Sequence, residues 1–182
     1  MIEYYYILIM SQTAHHLKNG EFIFLDGQIY KIISKKEVTA TGGHSVHFAI
    51  ENVATFHRND IHFALNHHVR TVDAEHVSYT LTHLIEPEHD RVFLGLLDTK
   101  TGKTREDLSI THPVIIDYLI KFFDAEENEN NSLTTHFLKF HIDKLHRVDE
   151  EIDLECVSGV QGFDMTQLHD AHHGKHHGNK HH

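Results

Sequence analysis

Between Glu21 and Ile33 two apolar runs, Glu21-Phe-Ile-Phe-Leu25 and Gln28-Ile-Tyr-Lys-Ile-Ile33, are separated by nothing but Asp26-Gly27. Runs of β-branched and aromatic residues favour extended backbone, and Asp-Gly tolerates the positive φ angles of a tight turn. The pair predicts a β-hairpin and commits this part of the chain to an antiparallel sheet. The rhythm continues beyond it. Ser45 to Ile50 follows the Gly42-Gly43 break, and Ile61 to Leu65, His67 to Val72 and His76 to Ile85 come after short polar separators. Strands at such regular spacing predict a small barrel.

Near Glu86-Pro87-Glu88 the apolar rhythm stops, which predicts a domain boundary between about Thr80 and Pro87. A new set begins with the run Arg91 to Leu97, the turn Asp98 to Gly102 and the run Lys103 to Ile110. A helix is predicted next. Thr111 or His112 serves as its cap, Pro113 suits its first turn, and Val114, Ile115, Tyr118, Leu119, Phe122 and Phe123 recur at helical spacing. The acidic stretch Asp124 to Ser132 is expected to be a solvated loop, followed by strands over Thr134 to Ile142 and Glu151 to Val157. Three strands, a helix and two strands are the order of an OB-fold. The expected organisation is an N-terminal extension over 1–15, a barrel domain over 16–84, an OB-fold domain over 85–160 and a disordered His-rich tail over 161–182.

A length of 182 residues with 40% hydrophobic content supports one domain or two small ones with real cores. The single Cys156 leaves no internal disulfide framework, which makes the cytosol the expected compartment. Ile2 to Met10 lacks a basic n-region and is too short to span a bilayer. Two readings of it stand: an added edge strand, or a segment upstream of a start at Met10. The formal charge runs from -11 with the histidines neutral to +11 with all 22 protonated. Neutrality falls near pH 6.0, where charge repulsion no longer opposes association. Mild acid is therefore expected to favour self-association.

At this point the residues carry a likeness. Lys18 to Ile32 resembles the opening hairpin of the translation initiation factor 5A family, and Val46 to Thr55 is similar to the strand after that family's modification loop. Thr101-Gly-Lys-Thr-Arg-Glu-Asp-Leu-Ser-Ile110 resembles a segment of its second domain. The likeness runs from about His16 to Gly159 and implies a mainly β chain, an SH3-like barrel followed by an OB-fold with one helix. In that family a lysine at the loop tip becomes hypusine and reaches toward the ribosomal peptidyl-transferase centre. Here the loop reads Thr41-Gly42-Gly43-His44, with Gly43 or a gap where the lysine belongs, and no lysine occurs between Lys36 and Lys100. Neither Gly nor His supplies the reach or the permanent charge of a long cation. A degenerate modification loop is thus expected, as in the fungal Woronin-body branch, which lacks the lysine and self-assembles into a lattice. The resemblance implies two kinds of partner: other copies of the chain, as a homo-oligomer or lattice, or a ribosome and its RNA. It also makes a protein-dense body or organelle an alternative to the open cytosol.

The bland reading of the tip is that the glycines serve positive φ angles and nothing more. In the tail, His172, His173, His176, His177, His181 and His182 offer imidazoles that suit Zn, Ni or Cu. Their loose spacing specifies no geometry, so a solvated tail with adventitious divalent metal is the alternative, and no other cofactor is expected. Most strand histidines, such as His47, His62, His67, His68, His83, His136 and His141, are expected to face outward or to be hydrogen-bonded, and some to lie at interfaces between molecules. There is no Gly-x-Ser-x-Gly elbow and no His-Glu-x-x-His. Cys156 sits in a strand run as an inert thiol, and Glu86, Glu88, His89 and Asp90 form an exposed linker cluster. No enzyme is expected. Lys31, Lys35 and Lys36 are the best candidates for a local basic face toward nucleic acid, with solvated strand-end lysines as the alternative.

Overall fold

A computed structural model describes residues 11–40, 42–85, 90–128 and 137–170. It divides the chain into two compact units. The first comprises the chain up to Glu75 together with Asp143–Cys156, and the second His76–Ile142 together with the chain from Val157.

In the first unit the predicted hairpin forms as strands β2 (Phe22–Leu25) and β3 (Gln28–Ala40). Asp26 and Gly27 turn it with φ of 48° and 78°. Near the turn its residues feed cores on both faces, which explains why Phe22 to Leu25 is continuously apolar instead of alternating. Ile23 faces a core of Ala14, Leu17, Ile32, Val46, Phe48, Ile50 and Val69. Phe22 and Ile29 face another built with Val72 and Leu145. Strands β4 (Gly43–Asn52) and β5 (Arg58–Ala64) extend the sheet antiparallel from β3. A short strand β1 (Ser11–Thr13) pairs with β6 (His68–Ile85), and Ala14 and Leu17 are fully buried. The stretch expected to be an extension is thus packed into the unit from Ser11 onward.

Strand β6 departs from expectation in length. The runs expected over His67 to Val72 and His76 to Ile85 merge into one strand of 18 residues that begins at His68. Asp73-Ala74-Glu75 holds neither Gly nor Pro, so nothing in it interrupts the strand. In the second unit β7 (Val92–Asp98) pairs with β6 on one side and with two short strands, β8 (Thr104–Arg105) and β9 (Ser109–Ile110), on the other. The run Lys103 to Ile110 was expected as a single strand. It is broken where the Arg105 guanidinium folds back on Asp107, its Nε and Nη2 donating at 2.7 and 2.6 Å.

The helix α1 (Pro113–Asn128) buries Ile115, Ile116 and Leu119. It continues four to five residues into the stretch expected to be a loop, because Asp124-Ala-Glu-Glu-Asn contains good helix formers and no breaker. Strands β10 (Leu138–Arg147) and β11 (Ile152–Val160) follow. Residues 161–170, expected to open a disordered tail, instead carry a one-turn helix α2 (Gln167–Asp170) and bury Leu168 completely.

Candidate functional site

The loop tip singled out above is the end of the β3–β4 ladder, whose last pair is Ala40 with Gly43. Thr41 lies outside the described residues. Thr39 and His44 face each other across the ladder, with Thr39 Oγ1 3.1 Å from His44 Nδ1. A Cβ built on Gly42 or Gly43 meets nothing within 4 Å, so the tip projects into open space. The two glycines are nevertheless unequal. Gly43 holds φ of 132°, which a side chain strains, whereas Gly42 lies outside the left-handed range. If Gly43 rather than a gap stands where the family's lysine belongs, its backbone disfavours a side chain there. Gly43→Ala is expected to cost about 1–3 kcal/mol, and Gly42→Lys to stay within about 0.5 kcal/mol of the parent. Thermal unfolding of the two variants checks this, and equal losses would contradict it.

Lys31, Lys35 and Lys36 are not a free basic face. Lys31 Nζ lies 3.6 Å from the buried Asp143 carboxylate and over the Phe22 ring. Lys35 donates to the His15 carbonyl and lies 3.5 Å from Glu37. Lys36 alone is fully exposed of the three. A tight electrostatic path to nucleic acid needs several uncommitted cations, and this patch offers one.

Cys156 is partly buried, and its thiol donates to the Asp143 carbonyl at 3.6 Å. Burial, assisted by the Asp143 charge and opposed by Lys31, pushes the thiol up to about 12. It is protonated at neutral pH and is no nucleophile. In the second unit Ser78 Oγ sits 2.8 Å from His141 Nδ1. The contact is exposed, and no acidic group among the described residues orients the ring from its other side, as a catalytic base would need. His83 lies over Gly95, where a Cβ would come within 2.2 Å of its ring, and its Nε2 is 3.4 Å from Glu106. The segment Arg105 to Leu108 has a structural role: its arginine lies over Tyr79 and the Leu108 carbonyl accepts from Leu94 N at 3.0 Å.

Among the described residues no group of three or more His, Cys, Asp or Glu could hold a metal ion. The tail histidines His172, His173, His176, His177, His181 and His182 lie outside the described residues, as do His136 and, from the acidic linker, Glu86, Glu88 and His89. No helix among the described residues is long and apolar enough to cross a membrane. Sequence reasoning did not single out the buried Arg147. Nothing in a lone arginine within a strand run announces burial.

No protein-family model matches the sequence, and no curated protein matches it. Solved structures do. A translation initiation factor eif-5a family protein from Naegleria fowleri superposes with a TM-score of 0.52 at 14% identity, over 82% of this chain and 96% of that one. The eukaryotic translation initiation factor 5A from Methanococcus jannaschii gives 0.46 at 11% identity, over 84% and 96%. At such identity the likeness establishes architecture: the chain is a mainly β, two-domain protein with the fold of the Naegleria translation initiation factor 5A family protein.

Proposed function

We propose that this protein is a non-enzymatic relative of translation factor 5A that works through its surfaces, as a self-associating structural protein. The observation that carries it is the β3–β4 tip, which holds no lysine and puts Gly43, or a gap, where the family's lysine belongs, Gly43 having a φ of 132° that suits glycine. No lysine is available there to extend toward a distant reaction centre. The charge balance supports the same reading, since 22 histidines bring the molecule through neutrality near pH 6.0. Sedimentation between about pH 8 and about pH 5.5 tests it, because imidazoles titrate across that window. Reversible growth in mass toward mild acid is expected. A strict monomer at every pH and at high concentration sinks the proposal.

A second reading is favoured by the Naegleria likeness: a ribosome-binding factor that acts by shape without hypusine. Co-sedimentation with ribosomes separates the two. The structural reading predicts none.

A further inference from the structure

The outer face of the β3–β4–β5 sheet carries two histidines directly opposite each other, His47 on β4 and His62 on β5. Their placement follows from the alternation of the strands. Val46 and Phe48 on β4, paired with Phe63 and Ile61 on β5, point into the core, and the residues between them must therefore face solvent. Both imidazoles are exposed, with ring centroids 5.5 Å apart and planes tilted by 31°. Among the described residues neither ring takes part in a hydrogen bond or ion pair, so their nitrogens are uncommitted.

We propose that His47 and His62 form a two-imidazole chelate for a borderline divalent transition-metal ion, with copper bound in preference to nickel or zinc. Nitrogen–metal bonds of about 2.0–2.1 Å would place each ring centroid roughly 3.2 Å from a shared ion. Centroids 5.5 Å apart then subtend roughly 118° at the metal, wider than the right angle between neighbouring ligands of tetragonal copper, so both exposed rings must turn slightly toward each other to bind it. Two ligands leave the remaining positions to water, which agrees with the absence of a three-ligand cluster among the described residues. The strand ladder fixes the spacing before the ion arrives, so the second imidazole binds as an intramolecular ligand and adds affinity at little cost in ordering. Imidazole suits copper, nickel and zinc, and copper heads the affinity order.

The neighbours on the same face set the strength. Lys36 lies directly across from His47 on β3, and its ammonium opposes a dication. Asp60, one outward row away on β5 and opposite Ala49, favours it. The site is thus a weak chelate on an open surface, distinct from the loop tip.

The test is a titration of the full chain with Cu2+ at neutral pH, with all six tail histidines from His172 to His182 replaced by asparagine to remove their competing imidazoles. One equivalent of copper whose paramagnetic resonance spectrum shows two coordinated nitrogens is expected. Either His47→Asn or His62→Asn should weaken that site about tenfold or more, since one imidazole without the other loses the chelate advantage, and the double variant should abolish it. Lys36→Met should tighten it severalfold. Circular dichroism confirms that each variant folds. The proposal is overturned if the copper equivalent survives in both single variants, if only one nitrogen coordinates, or if Lys36→Met leaves the affinity unchanged.

Discussion

Arg147→Ala is expected to destabilise the first unit by about 2–5 kcal/mol, from the buried volume it empties and the carbonyl acceptor it leaves unpaired. Arg147 is completely buried. Its Nη1 donates to the Thr71 carbonyl, and its Nη2 lies 2.6 Å from Asp149 Oδ2. Arg70 closes the network, 3.5 Å from Asp149 and paired with Glu150. Truncation to alanine would empty the volume of the guanidinium and leave the Thr71 carbonyl without its donor. Arg147→Met refills most of that volume without restoring the hydrogen bonds, so its loss should be smaller. Hydrogen exchange at the β2 amides and at those of β6 up to Glu75 reads the first unit by itself. An unchanged exchange rate in Arg147→Ala would show that the arginine contributes nothing.

The same network sets a pH signature. Burial alone would raise the Asp149 carboxyl, but the hydrogen bond and charge of Arg147, and then those of Arg70, outweigh it and hold the carboxyl below its ordinary 3.8. A depressed folded value means that the contribution is complete above the unfolded value of 3.8 and is lost as pH falls through the lower folded value. The parent should therefore lose stability in that acid window. Arg147→Ala should lose less there, having lost the interaction already.

Leu168→Ala is expected to cost the second unit about 2–5 kcal/mol, the range for deleting a fully buried leucine side chain. The segment around it is held at several points. The Tyr118 hydroxyl donates to the Gln161 carbonyl at 2.9 Å, and the Phe163 ring packs on Tyr118 at 5.1 Å. Asp164 accepts from Thr166 N at 3.0 Å and from its hydroxyl at 2.7 Å, and these bonds hold its carboxyl below the ordinary value. Because α2 is a single turn near the end of the described chain, the upper part of that range requires it to stay docked as the unit opens. If α2 detaches by itself, the loss is capped at its local docking energy. Exchange at the Val160 to Leu168 amides distinguishes the cases. Global melting and local exchange both identical to the parent would mean that the buried Leu168 makes no contribution.

Much of the fold was legible because its signals are local. The Asp26-Gly27 turn, the β-branched runs around it, and the 3.6-residue stripe from Val114 to Phe123 each express backbone preference or one-sided burial within a few residues. Boundaries were less legible. Polarity at Asp73 to Glu75 reads as a break although the backbone has no reason to turn, and the acidic residues after Phe123 read as loop although their helix propensity is good. The candidate site divides in the same way. Lysine's absence from the tip is plain in the chain, but the inequality of Gly42 and Gly43 is a matter of φ, which follows from register.

By itself the sequence determined that this is a β-rich chain with one long helix, that its tip lacks the lysine of the family it resembles, and that its histidines govern its charge. These follow from residue identity and short-range periodicity. Only the tertiary structure decided that Arg147 would be buried, that Leu168 would dock, that Lys31 and Lys35 would be taken up by Asp143 and Glu37, and that His47 would stand opposite His62. Each depends on which distant segments meet, and the pairing of strands far apart in the chain is set by the whole core at once.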